Sequence, residues 1–171
     1  MLDPEKYFNY IKSLGVEFFT GVPDSLLKSF CGYVNDVETK NHVIASNEGS
    51  AVGIGIGYHL ATKKIPLIYM QNSGLGNAIN PLISLCDKEI YSIPMLLMVG
   101  WRGEPGKKDE PQHIAKGKIT TKLLKLLKID YCILKKEQDF SNLKKIILKQ
   151  KKNNNICLLY TSDAADETDS V

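Results

Sequence analysis

Hydrophobic positions along the chain switch repeatedly between a helical spacing and short continuous runs. Tyr7, Phe8, Ile11 and Leu14 mark one face of a helix, opened by Asp3 and Pro4 as N-cap and first-turn residues and closed by Gly15. Residues 16–20 form a compact strand, ended by Gly21, Val22 and Pro23. A second helix is predicted to begin near Asp24 or Ser25 and to carry Leu26, Leu27 and Phe30. A short strand over 42–45 leads into a third helix over about 48–61. A strand over 66–70 follows, then a turn at Asn72, Ser73 and Gly74 and a helix through Ala78, Ile79, Leu82, Ile83 and Leu85.

Residues 94–99 are nearly all apolar, the signature of a central parallel strand buried on both faces. A long polar loop is expected from 100 to about 118. Beyond it lie a helix marked by Leu123, Leu124 and Leu127, a strand over 131–134, a helix through Phe140, Leu143, Ile146 and Ile147, and a last strand over 156–160. Such alternation of strands and helices predicts an α/β fold, a doubly wound and mostly parallel sheet. One domain over 1–160 suits the length. The third helix is rich in Gly49, Ser50, Ala51, Gly53, Gly55 and Gly57, poor helix formers that close packing is expected to compensate. From 161 to 171 the chain turns small, acidic and aperiodic, and reads as a non-native or disordered tail outside the fold.

Composition narrows the partners more than the fold. With 43% hydrophobic and 24% charged residues, the 171-residue chain is ordinary for a globular protein. Its net charge of +3 is too small to argue for nucleic acid or for an acidic surface. Between 107 and 152 fourteen lysines face five acids, but without arginine this reads as solvated helix faces. Cys31, Cys86, Cys132 and Cys157 are scattered, with no CxxC pair or Cys/His spacing, and read as small apolar residues of a reducing compartment. No basic-then-apolar leader opens the chain, and the apolar stretch over 93–99 is too short to span a bilayer. The expectation is a cytoplasmic protein with no membrane and no nucleic-acid partner.

In an open α/β sheet, ligands bind outside the carboxyl ends of the strands. The polar and glycine-rich segments 21–25, 46–50, 71–77 and 100–118 all fall at such ends and are expected to converge on one crevice. Glu48 stands at the first turn of a helix with little side-chain bulk; the helix N-terminus favours its ionised form and burial opposes it. Gly53, Gly55 and Gly57 do not make a dinucleotide fingerprint, because their spacing is wrong and they lie inside the helix. The turn from Asn72 to Asn77 does sit between strand and helix, where its amides could meet an anion or a ring, although the lysine of a phosphate-binding P-loop is missing. His113, flanked by Asp109, Glu110 and Gln112, is a candidate proton shuttle, whereas His42 and His59 read as structural. No segment has the residues of a magnesium site, so no metal ligands are expected on this chain.

Four segments together resemble the phosphonopyruvate decarboxylases and the sulfopyruvate decarboxylase alpha chains, thiamine-diphosphate-dependent enzymes. They are 19–28 (FTGVPDSLLK), 47–51 (NEGSA), 69–77 (YMQNSGLGN), and 100–106 (GWRGEPG) with 109–113 (DEPQH). The resemblance covers roughly 5–150 and implies the flavodoxin-like pyrimidine-binding domain of those enzymes. It implies that Glu48 is the family glutamate that hydrogen-bonds the aminopyrimidine, that Gln71, Asn72 and Gly74 line the cofactor, and that His113 with Asp24 or Ser25 manages protons at the reacting carbon. Arg102, with Asp24, is expected on the substrate side, since a guanidinium suits a phosphonate or sulfonate. The resemblance further implies decarboxylation of phosphonopyruvate to phosphonoacetaldehyde and carbon dioxide, or of sulfopyruvate. The half that would hold the diphosphate through Mg2+ has no counterpart in this sequence. A diphosphate-binding domain or beta subunit is therefore the expected partner, in a homo- or hetero-oligomer, and the chain by itself is expected to be inactive. A noncatalytic flavodoxin-like binding module is the alternative reading.

Overall fold

In a computed structural model of the protein, which describes residues 3–135, 139, 144 and 156–160, the chain is built on a six-stranded sheet. Its elements are α1 (Pro4–Ser13), β1 (Phe18–Gly21), α2 (Lys28–Val37), β2 (His42–Ile44), α3 (Glu48–Thr62), β3 (Pro66–Gln71), α4 (Leu75–Pro81), β4 (Leu96–Gly100), α5 (Pro111–Leu126), β5 (Asp130–Leu134) and β6 (Ile156–Tyr160). The strand order is β2-β1-β3-β4-β6-β5, and every neighbouring pair runs parallel. The helix expected around 140–147 and the tail from 161 lie outside the described residues.

Alternation along the strands sorts the core into two layers. Leu67 and Tyr69 of β3, with Leu96 and Met98 of β4, pack against Tyr7, Phe8 and Ile11 of α1 and Phe30 and Val34 of α2. Their neighbours Ile68, Met70, Leu97 and Val99 point the other way, onto Val52 and Ile56 of α3, Ala78 of α4 and Leu124 of α5. Burial on both faces is why β3 and β4 read as unbroken apolar runs. Since α2 covers one face on the way from β1 to β2, and α3 covers the other on the way from β2 to β3, the winding reverses between β1 and β3. That reversal opens the crevice at the carboxyl ends of the strands.

Local signals at the element ends hold. Asp3 caps α1 by accepting from the amides of Glu5 (3.0 Å) and Lys6 (3.2 Å), and Gly15 leaves the helix at φ +87°, a conformation open to glycine. Asp24 is an N-cap, but of a single 3-10 turn, Ser25–Leu27, after which α2 starts at Lys28.

Three expectations need correction. The loop after β4 ends at Glu110, not near 118: Pro111 opens α5, so His113 sits in the first turn of a helix. The helix expected through Leu85 is α-helical only to Pro81, and Leu82–Cys86 continues as a wider π turn. Proline offers no amide to the ladder at that point. The glycines of α3 divide. Gly49 and Gly55 are packed, their missing Cβ atoms facing the Asn77 carbonyl (3.0 Å) and Ile68 (2.8 Å), whereas Gly53 and Gly57 face open space.

Candidate functional site

The winding reversal is crossed by a carboxylate. Asp24, only 7% exposed, accepts at Oδ1 from Gln71 Nε2 (2.7 Å) and at Oδ2 from the Leu26 amide (3.2 Å). Gln71 is held in turn at Oε1 by the Ser73 hydroxyl (2.7 Å). Two glycines make room: a Cβ at Gly100 would overlap the Asp24 carboxylate, and one at Gly21 would overlap Tyr69. Asp24 therefore lies over the ends of β1, β3 and β4 at once. Burial pushes its carboxyl above the usual range, and bonds from Gln71 and Leu26 and the charge of Arg102 only partly offset that. A raised folded value means that Asp24's contribution to stability is full below the ordinary aspartate range and is lost as pH rises through the raised value. Gln71→Leu removes a donor to the ionised form. Carboxyl 13C NMR of this variant should show Asp24 titrating higher still; a value unchanged or lowered would disprove the assigned bond.

A second cluster joins the loop after β4 to the start of α5. Asp109, its side chain 9% exposed, accepts at Oδ1 from Arg102 Nη2 (2.6 Å), His113 Nδ1 (2.8 Å) and the Glu110 amide (2.8 Å), and at Oδ2 from the Gly103 amide (2.8 Å). Desolvation is the largest single influence and raises its carboxyl. The bonds from Arg102 and His113 and the two amides together overcome it, so the group is held well below the usual carboxylate range. Arg102 reaches back over the crevice, with Nη1 3.4 Å from the Ser25 hydroxyl.

Helix α5 is seated on this loop by backbone contact. A Cβ at Gly117 would overlap the Gly103 carbonyl, and one at Gly103, at φ +68°, would overlap the His113 carbonyl. Trp101 Nε1 donates to the Gly117 carbonyl (3.0 Å), while Asn72 Nδ2 donates to the Arg102 carbonyl and to Thr120 Oγ1, both at 2.9 Å. Asn72 Oδ1 is buried and has no hydrogen-bond partner among the described residues.

Glu48 approaches the same turn from the opposite side. Asn47 caps α3, its side chain accepting from the Ser50 amide (2.9 Å), which sets Glu48 as the first helical residue. The half-buried carboxylate takes one hydrogen bond at Oε2 from Asn77 Nδ2 (2.8 Å). It lies against the backbone of Gly74, where a Cβ would overlap Oε1. The turn Asn72–Gly74 thus has Arg102 and Thr120 on one side and Glu48 on the other.

All eight candidate residues fall at the carboxyl edge of the sheet, in two groups. Asp24, Ser25, Gln71, Asn72, Arg102 and His113 are linked through side-chain and backbone hydrogen bonds, and Glu48 and Gly74 are in contact. Among the described residues no hydrogen bond connects Glu48 to His113. Two contacting residues are named in the sequence reading without a site role. Asn77 was visible only as the end of a glycine-rich turn. Asp109, four residues before His113, would have emerged had the helix start at Pro111 been recognised. His42 bonds Tyr69 Oη (2.7 Å) across the sheet, and His59 bonds the nearby Lys64 carbonyl (2.9 Å). No helix among the described residues is long and apolar enough to cross a membrane.

A family model described as thiamine pyrophosphate enzyme, N-terminal TPP binding domain, matches residues 5–123. The sulfopyruvate decarboxylase subunit alpha of Methanococcus maripaludis is 38% identical over 127 residues, 74% of this chain and 74% of its own length. The phosphonopyruvate decarboxylase of Streptomyces viridochromogenes is 36% identical over 124 residues, 72% of this chain but 30% of its own length. Among solved structures, benzoylformate decarboxylase from Polynucleobacter necessarius superposes with a TM-score of 0.64 at 17% identity, over 98% of this chain and 31% of that one. This last likeness is one of fold.

Proposed function

The chain belongs to the thiamine pyrophosphate enzyme family, as its N-terminal TPP-binding domain, and from that premise we propose that it is the pyrimidine-binding half of a 2-oxoacid decarboxylase. The substrate class is a three-carbon 2-oxoacid carrying a tetrahedral anion on its methyl carbon, phosphonopyruvate or the near-isosteric sulfopyruvate. In the reaction the bond to the carboxyl carbon breaks, carbon dioxide leaves, and a proton takes its place, giving phosphonoacetaldehyde or its sulfonate counterpart. The sulfopyruvate reading stands beside the phosphonate one because relatives named for each are almost equally similar, at 38% and 36% identity.

One observation carries the proposal: Glu48 is pressed against Gly74, with one carboxylate oxygen engaged by Asn77, at the crevice edge shared with Asp24 and Gln71. This donor and acceptor set fits an aminopyrimidine. A carboxylate side chain can accept a hydrogen bond from a ring or exocyclic nitrogen. The buried, unpartnered Asn72 Oδ1 adds acceptor capacity beside it. Glycine at 74 leaves the wall open where a side chain would displace the carboxylate. When bound, thiamine diphosphate supplies the electron sink for the breaking carbon–carbon bond.

The chain's own residues do the rest. Glu48 binds and orients the heterocycle. Gln71, Asn72 and Gly74 shape the adjoining turn. Asp24, kept less acidic by burial, and His113 are placed to hold or deliver the proton that replaces carbon dioxide. Ser25 is exposed at the mouth of the crevice, within reach of Arg102. Arg102 is already paired with Asp109, so it offers a substrate anion its remaining N–H groups and not a free charge. A diphosphate-binding domain or beta subunit, with Mg2+, completes the site in an oligomer. The test is to mix the chain with such a partner, thiamine diphosphate and Mg2+, and to follow carbon dioxide release from both substrates. Release from one or both is expected. None from either, with the partner shown to bind, would refute the reading.

A further inference from the structure

In the functional reading above the loop carboxylate Asp109 only pairs with Arg102, yet it touches more donors than any other described side chain at the site. We propose that Asp109 is a positioning residue that fixes the tautomer of His113, so that Nδ1 carries the hydrogen and Nε2 is the atom that exchanges protons in the crevice. The proposal rests on the reading of His113 as a proton-exchanging group.

The argument is one of hydrogen-bond inventory. An ionised carboxylate only accepts, so the ring nitrogen at 2.8 Å from Asp109 Oδ1 must be the one bearing hydrogen. A neutral imidazole has a single N–H, which leaves Nε2 with its lone pair bare. Asp109 is kept ionised by its other contacts: the Arg102 guanidinium on Oδ1, and the amides of Glu110 and Gly103 on Oδ1 and Oδ2. With His113, the four donors come from both ends of the loop and from the first turn of α5. The carboxylate that selects the tautomer is therefore also clamped in place. His113 keeps a side-chain exposure of 20%, against 9% for Asp109, so the ring is more open to solvent than its anchor. Arg102 has a corresponding part: it neutralises the carboxylate and keeps it from taking a proton from the imidazole.

The tautomer is directly observable without turnover. The chain has three histidines, His42, His59 and His113, and the His113 signals are assigned by their loss in His113→Gln. Long-range 1H–15N correlation spectra of the histidine-labelled chain, at a pH where all the rings are neutral, should show His113 with hydrogen on Nδ1 and a bare Nε2. In Asp109→Asn this pattern should give way to a mixture or to its reverse, and Asp109→Glu should restore it at least in part. A wild-type ring with hydrogen on Nε2, or an Asp109→Asn spectrum identical to wild type, overturns the assignment. Should Asp109→Asn fail to fold, the wild-type spectrum and Asp109→Glu still decide.

In the assembled decarboxylase, Asp109→Asn should lower kcat about a hundredfold, as when a general acid–base group is lost or held in the wrong tautomer. The outcomes separate cleanly. The expected spectrum from a protein that never decarboxylates leaves the Asp109 assignment standing and sinks the functional reading. An active enzyme with the opposite tautomer does the reverse.

Discussion

Replacing Glu48 with glutamine is expected to lower the decarboxylase activity of the assembled protein about a hundredfold or more, the range for removing an acid–base group. That corresponds to roughly 3 kcal/mol of lost transition-state stabilisation, at about 1.4 kcal/mol per tenfold. The substitution is nearly isosteric and keeps an oxygen able to accept from Asn77 Nδ2, the 2.8 Å hydrogen bond that holds the side chain. What it removes is charge, and with it the preference for a protonated nitrogen on the ligand. The effect on folding should be small, because an acid in a helix first turn contributes only about 0.3–1 kcal/mol. Glu48→Gln with wild-type kcat/KM, in enzyme shown to be folded and loaded with thiamine diphosphate, would remove the basis of the functional proposal and favour a noncatalytic binding module.

The largest effect on stability should come from a methyl group at Gly117. Its Cβ would fall on the Gly103 carbonyl, with the Arg102 carbonyl 2.9 Å away. Backbone on both sides of a crossing cannot swing aside as a flexible side chain can. Gly117→Ala should therefore cost about 2–3 kcal/mol, the upper part of the range for overpacking, despite the helix propensity that alanine adds. Because Trp101 and Asn72 bond to the same stretch, the loss should be accompanied by displacement of His113 from Asp109. Gly57→Ala, in α3, is the control. Its Cβ meets nothing within 4 Å, so alanine in mid-helix should stabilise by roughly 0.5–1 kcal/mol. Urea melts of both variants measure this as opposite shifts in midpoint at unchanged slope. Gly117→Ala with a wild-type midpoint would mean that α5 does not sit on the loop as described.

Much of the site could be read from residue order because its parts are local. Asp24 and Asn47 are capping residues, and capping is a property of two or three adjacent positions. Gly74 and Asn77 lie three positions apart, at the end of the turn after an apolar strand and in the first turn of α4. The start of α5 was legible too, since Pro111 is a first-turn residue, but the polar run from 100 to 118 masked it and left His113 in an expected loop. The partners were a different matter. Asp24 meets Gln71 across 47 positions, Asn72 meets Thr120 across 48, and Asn77 meets Glu48 across 29. Nothing in the periodicity of one segment records which distant segment it will face. The two classes of α3 glycine show the same limit: Gly55 and Gly57 look alike in sequence, and only packing against Ile68 distinguishes them.

Residue order by itself determined the alternation of strands and helices, the parallel sheet that follows from it, and the four polar segments at strand ends, because backbone periodicity and capping are short-range effects. Tertiary structure alone decided the strand order that places β6 between β4 and β5, the seating of α5 on the loop after β4, and the carboxylate that claims His113 and Arg102 together. Those choices are made by close packing and by the need to satisfy buried polar groups, and both depend on segments that meet only once the chain has folded.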